Sequence, residues 1–145
     1  MNNKRIKNLF LVIVFFLGLL SVSSQNEESY TLTIEVSVTK YNKGKILLAL
    51  YDHPDHYMKK SIHSVSEKVV NHKAIIKFKN LKKGDYAYSL FHDINNNGKL
   101  DNNFFGVPKE PYGFSNKERG RFGPPKYHKV KFTIDKNTHQ KISIK

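Results

Sequence analysis

The chain contains no cysteine among its 145 residues. That excludes a disulfide scaffold, a thiolate metal site, thiol catalysis and a lipidated-cysteine anchor. Arginine is nearly missing too: Arg5, Arg119 and Arg121 are the whole supply. No apolar run approaches the roughly 20 residues that a membrane-spanning helix needs. No stretch reads as a long helix, and no serine sits in a strand-to-helix nucleophile elbow.

Acids are also few. Lys and Arg total 25 against 12 Asp and Glu, a formal charge of +13. Lys4, Arg5 and Lys7 lie in the first 24 residues, so the rest carries 22 cations against 12 acids, a net +10. Such a charge favours anionic partners: nucleic acid, acidic polysaccharide or a lipid headgroup surface. The lysines are scattered in ones and twos, which suits solvated strand faces and protected sheet edges. Arginine, the usual choice for bidentate phosphate recognition, is scarce. A specific nucleic-acid partner is therefore not expected.

Residues 1–24 read as a signal peptide. Lys4, Arg5 and Lys7 form a positive start, Leu9 to Leu20 an apolar run of 12 residues, and Val22-Ser23-Ser24 a small-residue exit. The expected location is periplasmic or extracellular, with no transmembrane segment left after signal cleavage.

Residues 25–145 read as one domain, large enough to bury a core without crosslinks. Tyr30, Leu32, Ile34, Val36 and Val38 alternate with polar residues, the period of a half-buried strand. Lys45–Tyr51 follows after an Asn42-Lys43-Gly44 turn, and the two are expected to pair as a hairpin. A short helical turn is expected around 55–60, and an irregular strand near Val65, Val69 and Val70. Further strands are expected around Ala74–Phe78, Tyr86–His92, Val130–Ile134 and Ile142–Ile144. The expectation is all-β: a single antiparallel β-sandwich of about seven strands, immunoglobulin- or transthyretin-like, with one long ordered loop.

That loop, 93–129, is too long for an ordinary connection. It holds Phe104, Phe105, Tyr112, Phe114, Phe122 and Tyr127, with Gly and Pro fixing its turns. It reads as an ordered, aromatic-packed flap.

Three stretches carry a resemblance: Gly44–Tyr51 (GKILLALY), Asn80–Asp93 (NLKKGDYAYSLFHD) and Asn95–Gly123, with its NFFGVPKEPYGFSNKERGRFGPP run. Together they resemble the exported bacterial family called domain of unknown function 2141. The step Leu81-x-x-Gly84-x-Tyr86 also resembles transthyretin-like and collagen-adhesin-repeat sandwiches. The family implies a small exported all-β domain and supplies no catalytic residues.

One stretch has the spacing of a cation loop. Counted from Asp93, Asp93, Asn95, Asn97, Lys99 (by its carbonyl) and Asp101 occupy positions 1, 3, 5, 7 and 9 of an EF-hand-type loop, with Gly98 at the sharp turn. Position 12 is Phe104 instead of a bidentate glutamate, and flanking helices are absent. Calcium is the candidate ion, with an affinity on the order of 10⁻⁴–10⁻³ M. The competing reading is an Asn-Gly turn capped by Asx side chains.

The seven histidines offer no zinc-protease spacing. His53-x-x-His56 lacks the helix and the glutamate, and His92 and Asp93 point to opposite strand faces. Tyr112, Phe114, Lys117, Arg119, Arg121 and Tyr127 form the best cation-plus-aromatic patch for a sugar or peptide ligand.

The leading expectation is an exported, non-enzymatic binding or structural module of the bacterial cell envelope, stabilised by calcium, with an envelope protein or polysaccharide as partner. The alternatives are a hydrolytic, carbohydrate-active enzyme using Asp93, Asp101, Glu110 and Glu118, and a polyanion-binding basic protein.

Overall fold

A strand that alternates apolar and polar side chains must put one face against another layer. In the computed structural model, which describes residues 28–145, β1 (Ser29–Val38) does this: Leu32, Ile34, Val36 and Val38 are buried, and Thr31, Thr33, Glu35 and Ser37 face out half-buried. The export signal read in 1–24 lies outside the described residues.

The other strands are β2 (Lys45–Tyr51), β3 (His63–Lys68), β4 (Lys73–Lys82), β5 (Gly84–Asp93), β6 (Tyr112–Phe114), β7 (Phe132–Ile134) and β8 (Thr138–Ile144). They form two sheets. One has the order β4-β1-β8; the other has the order β3-β2-β5-β6, with β7 also pairing β5. Between them lies one core, built from Leu32, Ile34 and Val36, Ile46, Leu48 and Leu50, Ile76 and Phe78, Tyr88 and Leu90, and Ile142 and Ile144. The β-sandwich expectation holds, with eight strands.

Two pairings differ from expectation. β1 and β2 are not a hairpin, because they belong to different sheets. The turn at 39–44 is real, but it hands the chain across the sandwich. Asn42 Oδ1 accepts the His72 N–H (2.8 Å), tying this crossing to the turn before β4. Gly44 sits at φ +78°, and a Cβ there would collide with the Asp93 carbonyl; only glycine fits such a position cheaply. Second, β8 lies parallel to β1, in an otherwise antiparallel fold. No tight turn links these two strands, so no hairpin geometry dictates their direction. Residues 53–60 form hydrogen-bonded turns (Tyr57 N–H to His53 O, 3.1 Å; Lys60 N–H to His56 O, 2.9 Å), with no helix.

The flap is ordered, as expected. It contains β6, a single 3-10 turn at Ser115–Lys117 and a one-turn helix, α1 (Tyr127–Val130). It packs through a second small core of Ala87, Phe114 and Val130, with Tyr57 and Tyr127 against it. Ser115 fastens it: its Oγ accepts the Tyr88 N–H (3.0 Å) and donates to the Val130 carbonyl (2.6 Å). The aromatic-packed description needs correction for half of the rings. Phe104, Phe105 and Phe122 stand in solvent.

Candidate functional site

β5 ends at Asp93, whose carboxylate is buried. Its Oδ1 accepts the Asn97 N–H (3.0 Å) and its Oδ2 the Gly98 N–H (2.8 Å). Amide donors of this kind stabilise a carboxylate removed from water. Asn96 (φ +61°) and Gly98 (φ +75°) turn the loop back. Asp101 then receives Asn95 Nδ2 (2.7 Å) and Asn97 Nδ2 (3.1 Å). Lys99 contributes its N–H to Asn97 Oδ1 (2.8 Å), and its side chain is exposed. So Asn95 and Asn97 meet Asp101 through their side-chain amides, while Asp93 holds the loop backbone at Asn97 and Gly98, all by Asx hydrogen bonds. Their oxygens are the hard donors calcium prefers. Among the described residues no three His, Cys, Asp or Glu side chains group as a metal cluster.

Glu110 closes this loop, a role its sequence position does not announce. It is buried; Oε1 accepts the Ile94 N–H (2.9 Å) and Oε2 the Asp101 N–H (3.1 Å). It reaches both ends of the loop because residues 101–109 fold back as a ribbon, with the Lys109 N–H on the Asp101 carbonyl (2.7 Å). From sequence, Glu110 was only one of four acids in the hydrolase alternative. Glu118 lies apart from the others, on a different groove.

His92 points inward, opposite to Asp93. It is fully buried, and its Nε2–H donates to the Lys43 carbonyl (2.6 Å). That partner fixes the tautomer. The pair therefore does not form one acid–base unit.

Beside the loop, the outer face of the five-stranded sheet carries an apolar groove of about 490 Å³. Leu47, Ala49 and Tyr51 of β2 and Ser89 and Phe91 of β5 form its floor; Leu100 and Tyr112 come from the flap, and Met58 from the 53–60 turns. Tyr51 Oη and Ser89 Oγ, 3.3 Å apart, give it one polar point. Nearby, Tyr57 stacks edge-on to Tyr51 (5.3 Å) and Tyr127 (5.8 Å), and burial pushes its phenol up to about 12. The sequence signal for this groove is that KILLALY is apolar at both parities, so β2 needs cover on both faces.

The cation-plus-aromatic patch is split. Tyr112, Phe114, Lys117 and Arg119 line a second groove, of about 310 Å³, with Ser37 and Lys141. Arg121 lines an adjoining hollow with Phe122 and Lys126. Tyr127 is in neither; it packs under the flap, its hydroxyl on the Asp85 carbonyl (3.4 Å). Among the described residues, no helix is long and apolar enough to cross a membrane.

No curated protein and no solved structure matches the chain. A family model does, over residues 34–143, from within β1 to within β8 and so across the loop, the grooves and the flap. The chain therefore belongs to the bacterial family described as "uncharacterized protein conserved in bacteria (DUF2141)".

Proposed function

We propose that this protein is an exported, non-enzymatic binding module of the bacterial cell envelope, whose working surface is the flap-walled face of the five-stranded sheet. The observation that carries this reading is the 490 Å³ apolar groove. Ligand sites are concave and mostly apolar, with a few polar groups that orient the ligand. Here Tyr51 and Ser89 supply such groups, and the flap supplies Leu100 and Tyr112. The ligand this suits is an apolar or amphiphilic group of an envelope component. Against the hydrolase alternative, both oxygens of Asp93 and of Glu110 already accept backbone amides. Carboxylates held this way brace a loop.

The test is titration with the dye N-phenyl-1-naphthylamine. Fluorescence should rise on binding, and Ala49→Trp, which fills the floor, should abolish most of the rise. Equal fluorescence from the variant would reject the groove as the site.

The 93–101 loop is read as a calcium clip that positions Leu100 at the groove wall. Asp93, Asn95, Asn97 and Asp101 would hold the ion through side-chain oxygens, with the Lys99 carbonyl and water completing the shell. After chelation, calcium at ten times its dissociation constant should stabilise by about 1.4 kcal/mol. Magnesium should do less, and Asp93→Ala should remove the response. No melting shift up to about 10 mM calcium would leave the loop an Asx-capped turn.

A further inference from the structure

We propose that the ribbon at residues 101–109 is a lipid-docking tip, which sets Phe104 and Phe105 into an anionic bilayer surface while Lys99 and Lys109 meet the headgroups. The two rings are 98% and 84% exposed and touch edge to face at 5.6 Å, with Val107 exposed beside them. Apolar groups clustered in solvent mark an interaction surface. They do not sit on slack chain. The Asn102–Pro108 bridge and the Asn103 N–H on the Val107 carbonyl (2.9 Å) close the ribbon. Asn103 Oδ1 also accepts the N–H groups of Phe105 (2.9 Å) and Val107 (3.0 Å), and the Gly106 N–H reaches the Asn103 carbonyl (3.0 Å). Four of the tip's amides, those of Asn103, Phe105, Gly106 and Val107, are thus satisfied from within. A backbone entering lipid needs this, because water is not there to satisfy it.

The surroundings select the occupant. Residues 102–109 contain no acid, and Lys99 and Lys109 are exposed. The two flanking carboxylates face the loop and away from the apex: Asp101 accepts from Asn95 and Asn97, and buried Glu110 from two backbone amides. The tip is apolar at its apex with two exposed lysines at its root, and the attraction to an anionic surface comes from the net +10 that the chain carries beyond residue 24. Basic residues combined with Phe are the combination that binds anionic membrane surfaces. A protruding pair of rings suits a yielding lipid surface, whereas a protein partner would need a matching pocket. The inference stands apart from the groove and from calcium.

The experiment is co-sedimentation of residues 25–145, which hold every strand among the described residues, with phosphatidylcholine vesicles containing or lacking phosphatidylglycerol. Phe104→Ser with Phe105→Ser should weaken partitioning by on the order of tenfold or more without moving the melting temperature. Lys99→Gln with Lys109→Gln should reduce binding only to the phosphatidylglycerol vesicles. The proposal is overturned if the wild-type protein stays in the supernatant, or if the double Phe variant binds equally well, which would leave charge adsorption alone. A Phe-dependent oligomer in gel filtration without vesicle binding would also overturn it, assigning the tip to a second copy of the chain.

Discussion

The outer faces of the two sheets end in opposite states. On the three-stranded sheet, β1 presents Thr33, Glu35 and Ser37, flanked by Lys73 and Lys77 of β4 and by His139 and Lys141 of β8. This face carries ion pairs: Glu35 sits 3.0 Å from Lys73 and 3.8 Å from Lys141. On the five-stranded sheet, the corresponding positions are Leu47, Ala49, Tyr51 and Phe91, and the flap covers part of them. One face ends the protein against water. The other continues as a partial third layer with a groove left open in it. An apolar face that the chain itself covers only partly is where a ligand gains most from burial.

The contrast can be broken from the flap side first. Ser115→Ala should have the largest effect, roughly 2–3 kcal/mol of stability, because it strands the buried Tyr88 N–H and the Val130 carbonyl together. Urea unfolding measures it; a loss below about 0.5 kcal/mol would mean that the flap is not held at this point. Next come matched truncations. Leu47→Ser should cost roughly 1–2 kcal/mol, while Thr33→Ser on the opposite face should stay within about 0.5 kcal/mol. Equal losses would erase the distinction between the faces.

The smallest effect belongs to the ion pairs. The hydrogen bond from Lys73, with support from Lys141 and His139, holds the Glu35 carboxyl below its usual range, although partial desolvation opposes this. The folded value therefore lies under the unfolded one. The resulting stability is fully present above about pH 4.3, the unfolded glutamate value, and is lost as pH falls through the folded value. Asp85 adds to the same acid limb through Lys131 (2.7 Å) and Thr133 (2.7 Å). In Glu35→Gln, the fall in melting temperature on acidification should be shallower, and salt should diminish the difference. A profile identical to that of the wild type would mean that the Glu35 cluster is electrostatically idle.

Strand positions are legible because their signals are local: β1 and β4 lie where alternation places them, and β2 and β5 where short apolar runs follow turn residues. Partnership is not. Asn42-Lys43-Gly44 correctly signals a turn, but a turn signal carries no information about which sheet receives the next strand. The run from Asp93 to Asp101 folds as a loop held by Asx hydrogen bonds. Glu110 was invisible in that role because its reach depends on the ribbon at 101–109. From sequence, the flap's rings form one packed set. Phe114 and Tyr127 face the second core, whereas Phe104, Phe105 and Phe122 stand in solvent. Hydrophobicity alone does not say which rings find a wall.

By itself, then, the sequence determined the all-β class, most of the strands and the turn-rich character of the flap and the Asx loop, since each signal is local; it missed β6, inside the stretch read as loop, and Val130 ends a one-turn helix where a strand is expected. Tertiary structure decided that β8 runs parallel to β1, that the outer face of β2 is covered only in part, that Glu110 closes the loop and that Phe104 and Phe105 are left outside. Each of those depends on segments far apart in the chain meeting at one place, and their position is set by the packing of the whole sandwich.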